Sequence, residues 1–258
     1  MLRNEFVFPS VDGNTSIHAV QWLPEDDVRA VVQISHGVSE YILRYEPFAQ
    51  YLTDRGFAVV GHDHLGHGSS VAPGAARLYF GPKGSWKWVV DDIEKRRCLA
   101  RESFPNVPYF LLGHSMGSFI TRNYITRYAD GLSGYICCGT AGRNPLTKLG
   151  IGLAGIVTAL RGPKRTGRFL NAMAFQNYNR RFPEDDNELA WLSRDKDGYP
   201  DASEDPKCHF VFTNAGFRDL FQLLYSVTGR KWSEKIPADL PILFLSGDMD
   251  PVGQFGKG

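Results

Sequence analysis

Cysteine is scarce in this chain, and its spacing is not that of a bridged or metal-binding scaffold. Cys98, Cys137, Cys138 and Cys208 form no C-x-x-C pair, and adjacent Cys137 and Cys138 would face opposite sides of a strand. That pattern implies reduced, mostly buried thiols and a cytosolic protein. An excess of one charge is also missing. The formal net charge is +1, so nothing points to an electrostatic nucleic-acid binder. No stretch approaches the roughly 20 apolar residues needed to span a bilayer. The start, Met1-Leu2-Arg3-Asn4-Glu5, runs into an alternating strand pattern without the apolar core of a signal peptide. Internal repeats and low-complexity segments are lacking too. What remains is a chain of 258 residues, 43% hydrophobic and 22% charged, an ordinary globular balance. That length suits one large α/β domain or a domain with an insertion.

The most informative stretch is Pro108 to Ser118, read as a buried strand, a tight turn and a helix start. Tyr109 to Leu112 form a short apolar run bounded by Pro108 and Gly113. From Phe119 to Tyr128, apolar residues recur at helical spacing. Between them lies Gly113-His114-Ser115-Met116-Gly117, a Gly-x-Ser-x-Gly nucleophile elbow. A serine hydroxyl attacks poorly unless it is lifted clear of the backbone and set beside a base. A sharp strand-to-helix turn does this, and glycines on both sides relieve its crowding. The helix N-terminus also aims free N–H groups at a developing oxyanion. The plainer alternative is a serine that merely caps a helix.

Around the elbow the pattern alternates. Residues 5–8 and 16–22 are expected to form a hairpin across Asp12-Gly13-Asn14. Residues 29–35 and 57–61 read as buried strands, with a helix from about 45 to 55 between them, stopped by Gly56. A helix over about 85–104 carries an apolar stripe of Trp86, Val89 or Val90, Ile93 and Leu99. A strand is expected at 132–140. This rhythm implies a mostly parallel sheet with helices on both faces. It breaks at Ala141. Residues 142–236 read as a helical cap, with helices near 168–180, 185–193 and 214–228. The sheet resumes at 241–245, followed by Ser246-Gly247-Asp248-Met249-Asp250. The expected division is therefore a core over 1–141, a cap over 142–236 and a second core segment over 237–258.

Four motifs occur in order: His36-Gly37-Val38-Ser39-Glu40 with Arg44-Tyr45, Asp63-His64-Leu65-Gly66-His67-Gly68-Ser69, Gly113-His114-Ser115-Met116-Gly117, and Gly247-Asp248-Met249-Asp250. On these the chain resembles the α/β-hydrolase superfamily, in its monoacylglycerol lipase and lysophospholipase-like branch, over nearly its whole length. The resemblance implies Ser115 as nucleophile and the backbone N–H groups of Val38 and Met116 as oxyanion hole. The physical logic agrees, since one donor follows the nucleophile and the other comes from the loop after the third strand. The family's G-x-x-D pattern selects Asp250 as the acid, and Asp248 could instead form the turn. The implied reaction is hydrolysis of carboxylic esters of monoacyl lipids, with no cofactor and no metal. Its alternatives are a small-ester esterase or peptidase, a non-catalytic ligand-binding protein of the same fold, and a metal-dependent hydrolase.

The base is the gap. In such proteins a histidine follows the acid, and no histidine follows Asp250 here. The expectation is a piece of a longer protein that lacks a last strand, a last helix and the base. A pseudo-enzyme, or His209 as base, is the alternative. His62-Asp63-His64-x-x-His67 is expected to be a structural loop rather than a zinc site. The uncharged stretch Leu149 to Leu160 is either a mobile lid touching membrane or micelle, or a buried cap helix. The aromatics Phe169, Phe175, Tyr178, Phe210, Phe212, Phe217, Phe221 and Tyr225 are expected mostly in the cap core.

Overall fold

A computed structural model describes residues 1–256 apart from 183–189, 195–204, 206 and 209. Alternating residues at the start build β1 (Leu2–Pro9), which pairs with β2 (Ser16–Leu23) in register from Leu2 opposite Leu23 to Pro9 opposite Ser16. The turn between them closes on Asp12, whose carboxylate accepts from the Asn14 and Thr15 N–H groups and the Thr15 hydroxyl, with Gly13 at φ 74°. β1 begins three residues earlier than expected. It is an edge strand with most of its residues exposed or half-buried, so polar Arg3 and Asn4 fit within it.

Four strands of continuous apolar sequence follow. These are β3 (Ala30–Ser35), β4 (Phe57–His62), β5 (Tyr109–His114) and β6 (Gly134–Cys138). With β7 (Ile242–Leu245) they form a seven-stranded sheet in the order β1-β2-β4-β3-β5-β6-β7. β1, β2 and β4 pair antiparallel, and all later pairs are parallel. Parallel strands need crossovers. These include α1 (Glu46–Thr53), α2 (Trp86–Ser103) and α3 (Met116–Tyr124). Successive residues of β5 show why its run is apolar throughout. Leu111 packs with Ile93, Ile120 and Tyr124 on one face, and Leu112 packs with Val32, Ile34 and Ile42 on the other.

Between β6 and β7 come α4 (Thr147–Arg161), α5 (Arg168–Phe175), α6 (Asn214–Ser226) and α7 (Arg230–Ser233). The expected helix at 168–180 ends at Phe175, and a separate 3-10 turn covers Tyr178–Arg181. Most of the expected helix at 185–193 lies outside the described residues. Thr213 caps α6 by accepting from the Gly216 N–H at 3.0 Å. Phe217, Leu220 and Leu223 of α6 join the same core as Phe119 and Ile120 of α3. Phe212 and Phe217 are buried as expected, while Phe169 and Tyr225 are exposed.

The two readings of Leu149 to Leu160 differ in exposure. α4 is not a buried helix. Thr147, Gly150 and Ala154 face inward, and a Cβ at Gly150 would lie 3.4 Å from Phe221. Leu149 and Leu160 stand 70% and 81% exposed, with Leu146 and Ile156 also exposed. β7 joins the sheet where expected. It is an edge strand, and Phe244 is 54% exposed with Leu243 and Leu245 beside it. Among the described residues no helix is long and apolar enough to cross a membrane.

Candidate active site

The elbow is built as its glycines require. Ser115 sits at φ 51° and ψ −121°, between the last residue of β5 and the first of α3. A non-glycine residue in that region costs about 1–3 kcal/mol, so neighbours must hold it there. The Ser115 N–H donates to the Cys138 carbonyl of β6 at 3.0 Å, and the Ser115 carbonyl accepts from the Ser118 N–H at 2.8 Å. A Cβ at Gly113 would stand 2.7 Å from the Gly117 carbonyl. A Cβ at Gly117 would stand 2.5 Å from the His36 carbonyl and closer still to that of Ser35. The turn is therefore pressed against the end of β3, which brings the loop 36–40 beside the serine. Half-buried Ser115 remains reachable.

The N–H groups of Val38 and Met116 have no hydrogen-bond partner among the described residues. The Gly37 N–H does: it donates to the Glu40 carboxylate. Two unpartnered donors on either side of a serine at a helix N-terminus are the arrangement that stabilises negative charge on a carbonyl oxygen.

Asp250 and Asp248 are separated clearly. Asp248 is exposed and pairs with Arg194 at 2.7 and 2.9 Å, which lowers its pKa. Asp250 is half-buried at the turn after β7, with its Oδ1 accepting from the Val252 N–H at 2.8 Å. Its Oδ2 faces Gly139, where a Cβ would lie 3.8 Å from it and 3.5 Å from His114 Nε2. Gly139 follows β6 at φ 58°, so its lack of a side chain keeps that space open.

No described histidine is hydrogen-bonded to Ser115. His18 lies between Asp63 at 3.0 Å and Glu5 at 2.9 Å. His36 is used at both nitrogens, by the Gly37 carbonyl at 2.8 Å and by the His64 N–H at 3.0 Å. His64 meets the Ser35 hydroxyl at 3.0 Å, and His67 meets the Leu65 carbonyl at 3.3 Å. His114 points from the elbow to Tyr45 and Glu40. His209 lies outside the described residues.

The cluster His62-Asp63-His64-His67 is a buried fastening. Asp63 accepts from the Ile42 N–H and the Ser69 N–H, each at 2.8 Å, and pairs with His18. Burial works against its charge, but the His18 bond and the N–H donors bring its pKa below the ordinary value. Desolvation pushes His62 and His67 down to about 3 and His64 well below its usual value. Among the described residues no group of three or more His, Cys, Asp or Glu side chains is arranged to hold a metal ion.

The sequence reading gave no role to Glu40, Tyr45 or His114, although all three lie in its motifs. A carboxylate three residues after Gly37 was the available signal.

Sheet order, elbow and helical connections together define an α/β-hydrolase fold. A carboxyl esterase from Bacillus coagulans, solved in complex with glycerol, matches with a TM-score of 0.92 and 31% identity over 100% of this chain and 84% of that one. A lipase solved in its open form matches at 0.87 and 27%, with the same coverage. A monoacylglycerol lipase of Mycolicibacterium smegmatis is 34% identical over 139 residues, 54% of this chain and 47% of that protein. The monoglyceride lipase of Rattus norvegicus is 35% identical over 100 residues, 39% of this chain and 31% of that protein. The match thus spans less than half the length of either curated relative. Residues 26–258 match the family described as "Serine aminopeptidase, S33", and the chain belongs to that family.

Proposed function

We propose that this chain belongs to a serine hydrolase that cleaves carboxylic esters of monoacyl lipids. The observation that carries it is the strained Ser115 elbow flanked by the unpartnered N–H groups of Val38 and Met116. In this reading Ser115 attacks the ester carbonyl, and Val38 and Met116 bind the oxyanion. Asp250 orients a histidine that takes the serine proton and returns it to the leaving alcohol. No histidine follows Asp250 in the sequence, and no described histidine is hydrogen-bonded to Ser115. Water then releases the acyl group. The monoacylglycerol lipase relatives favour a monoacyl lipid. The similarity to a carboxyl esterase favours a shorter ester. An acyl-chain-length series on the natural full-length polypeptide separates these. A rate that rises with chain length to a long monoacyl glycerol supports the lipid reading, and a maximum at a two- to four-carbon acyl group overturns it.

Residues 142–236 are read as a cap over the carboxyl end of the sheet, and its α4 face as the part that meets lipid. Between Asp130 and Glu184 the sequence has no acidic residue, and Lys148, Arg161, Lys164, Arg165 and Arg168 are exposed around the apolar face of α4. An apolar face rimmed by cations suits the surface of an anionic lipid aggregate. The double variant Leu149→Glu, Leu160→Glu is expected to bind anionic phospholipid vesicles at least about tenfold more weakly, since each buried leucine contributes about 1.5–3 kcal/mol. Co-sedimentation measures this, and unchanged binding contradicts it. The free thiols Cys98, Cys137, Cys138 and Cys208 favour a reducing, cytosolic compartment.

A further inference from the structure

We propose that Glu40 is a positioning residue for ester hydrolysis, holding the Gly37–Val38 peptide so that the Val38 N–H faces the oxyanion site beside Ser115. The proposal rests on the ester-hydrolase reading above and adds a residue to it.

One oxygen of Glu40 collects donors from three parts of the fold. The Gly37 N–H, from the loop after β3, donates to Oε1. The Tyr45 hydroxyl, at the start of α1, lies 3.1 Å from the same oxygen. His114 Nδ1, one residue before Ser115, lies 3.3 Å from it and 3.1 Å from the Tyr45 hydroxyl. The Glu40 side chain is only 12% exposed, so little water competes for these bonds. The loop turns through the left-handed region at Ser39, φ 56°, and the Ser39 hydroxyl donates to the Phe210 carbonyl at 2.5 Å. A Cβ at Gly37 would lie 2.6 Å from Glu40 Oε1 and 3.3 Å from the Ser115 Cβ. Carboxylate, loop and serine are therefore packed together without slack.

Two consequences follow from this arrangement. The Gly37 N–H is committed to Glu40, so Val38 is the first residue of the loop whose N–H is free for substrate. A carboxylate near a developing oxyanion would repel it, and this one has the His114 imidazole within 3.3 Å. Burial disfavours charge on both partners, and their pairing outweighs it: Glu40 is held at about 2 and His114 is raised. The contact ties the loop to the residue before Ser115.

The test is steady-state hydrolysis of a short monoacyl ester by the natural full-length polypeptide, comparing Glu40→Ala, Glu40→Gln and Glu40→Asp with Ser115→Ala. Displacing one oxyanion donor predicts a fall in kcat of about 10²-fold for Glu40→Ala, with KM changed less than about threefold. Glu40→Gln keeps an acceptor for the Gly37 N–H and is expected within about tenfold of the parent kcat. A residue that only stabilised the fold would lower the melting temperature and leave kcat per folded molecule unchanged, which overturns the proposal. Should Glu40→Ala not fold, Glu40→Asp decides the matter. Its carboxylate is one methylene short, so the same loss confined to kcat is expected, and a parental kcat contradicts the proposal. If Ser115→Ala keeps the rate, the ester-hydrolase reading itself fails. If Ser115→Ala abolishes the rate and Glu40→Ala keeps its kcat, only the role of Glu40 fails.

Discussion

Acidification from pH 7.5 to pH 5 is expected to unfold this protein or bring it close to unfolding. His62, His64 and His67 are buried in the neutral form, with pKa values far below the ordinary 6.5, and His36 is lowered as well. Because the folded values lie below the unfolded one, their stabilisation is complete above pH 6.5. It is lost as the pH falls from there toward about 3, where the unfolded chain binds protons and the folded chain does not. Asp92 and Asp219 act in the opposite sense, since burial raises both to about 6 and the folded chain takes their protons first. His18 and His114, both raised, give a smaller opposing effect that is complete below pH 6.5. Each histidine kept neutral in the fold near pH 5 costs about 1.4 kcal/mol of stability per pH unit, and the two raised aspartates offset this only in part. Against a domain stability of about 5–15 kcal/mol that is a large fraction. Urea midpoints at pH 7.5, 6.5 and 5.5 measure it. Equal midpoints would show that the histidine cluster is hydrated or charged in the folded state.

The second large effect is steric. Gly117→Ala is expected to destabilise the protein by more than about 3 kcal/mol, because the new methyl group meets backbone and not a movable side chain. The carbonyls of Ser35 and His36 both lie within 2.5 Å of the Cβ position. Relief would require α3 to move away from the end of β3, and Val38 would then separate from Met116. Activity should therefore fall even in molecules that stay folded. By contrast, Gly152 and Gly155 on α4 have no neighbour within 4 Å of their Cβ positions, and alanine fits at either. A Gly117→Ala protein melting within about 2 °C of the parent would show that the elbow is looser than the structure implies.

The comparison of these glycines shows what was legible in the sequence. The elbow could be read because its chemistry dictates residue types at fixed spacing. Gly113 is needed by the turn itself, where the Gly117 carbonyl and Thr121 fill its Cβ position, and Asp12-Gly13-Asn14 likewise closes a hairpin by local bonds alone. Boundaries set by backbone conformation were less visible. α3 begins at Met116, directly after the positive φ of Ser115, whereas apolar periodicity becomes regular only at Phe119. Exposure was the least legible property. Leu243-Phe244-Leu245 reads as a strand on composition, but its exposure is set by what lies beside and above β7. Leu149 to Leu160 is apolar on more faces than α6 covers, and only the packing of Gly150 against Phe221 reveals which face is turned inward. The presence of Glu40 after Gly37 was visible, but its pairing across the fold was not. Its partner His114 is 74 residues away, and no local pattern joins them.

The most direct test of the account is hydrolysis of a short monoacyl ester by the 258-residue chain and by the natural full-length polypeptide, each beside its Ser115→Ala variant. The account predicts turnover near background for the 258-residue chain. For the full-length form it predicts a rate that Ser115→Ala lowers by about 10⁴-fold or more. A full-length rate that survives Ser115→Ala would contradict the assignment of the nucleophile. A 258-residue chain with the full Ser115-dependent rate would show that the base lies within it, with His209 the first residue to replace.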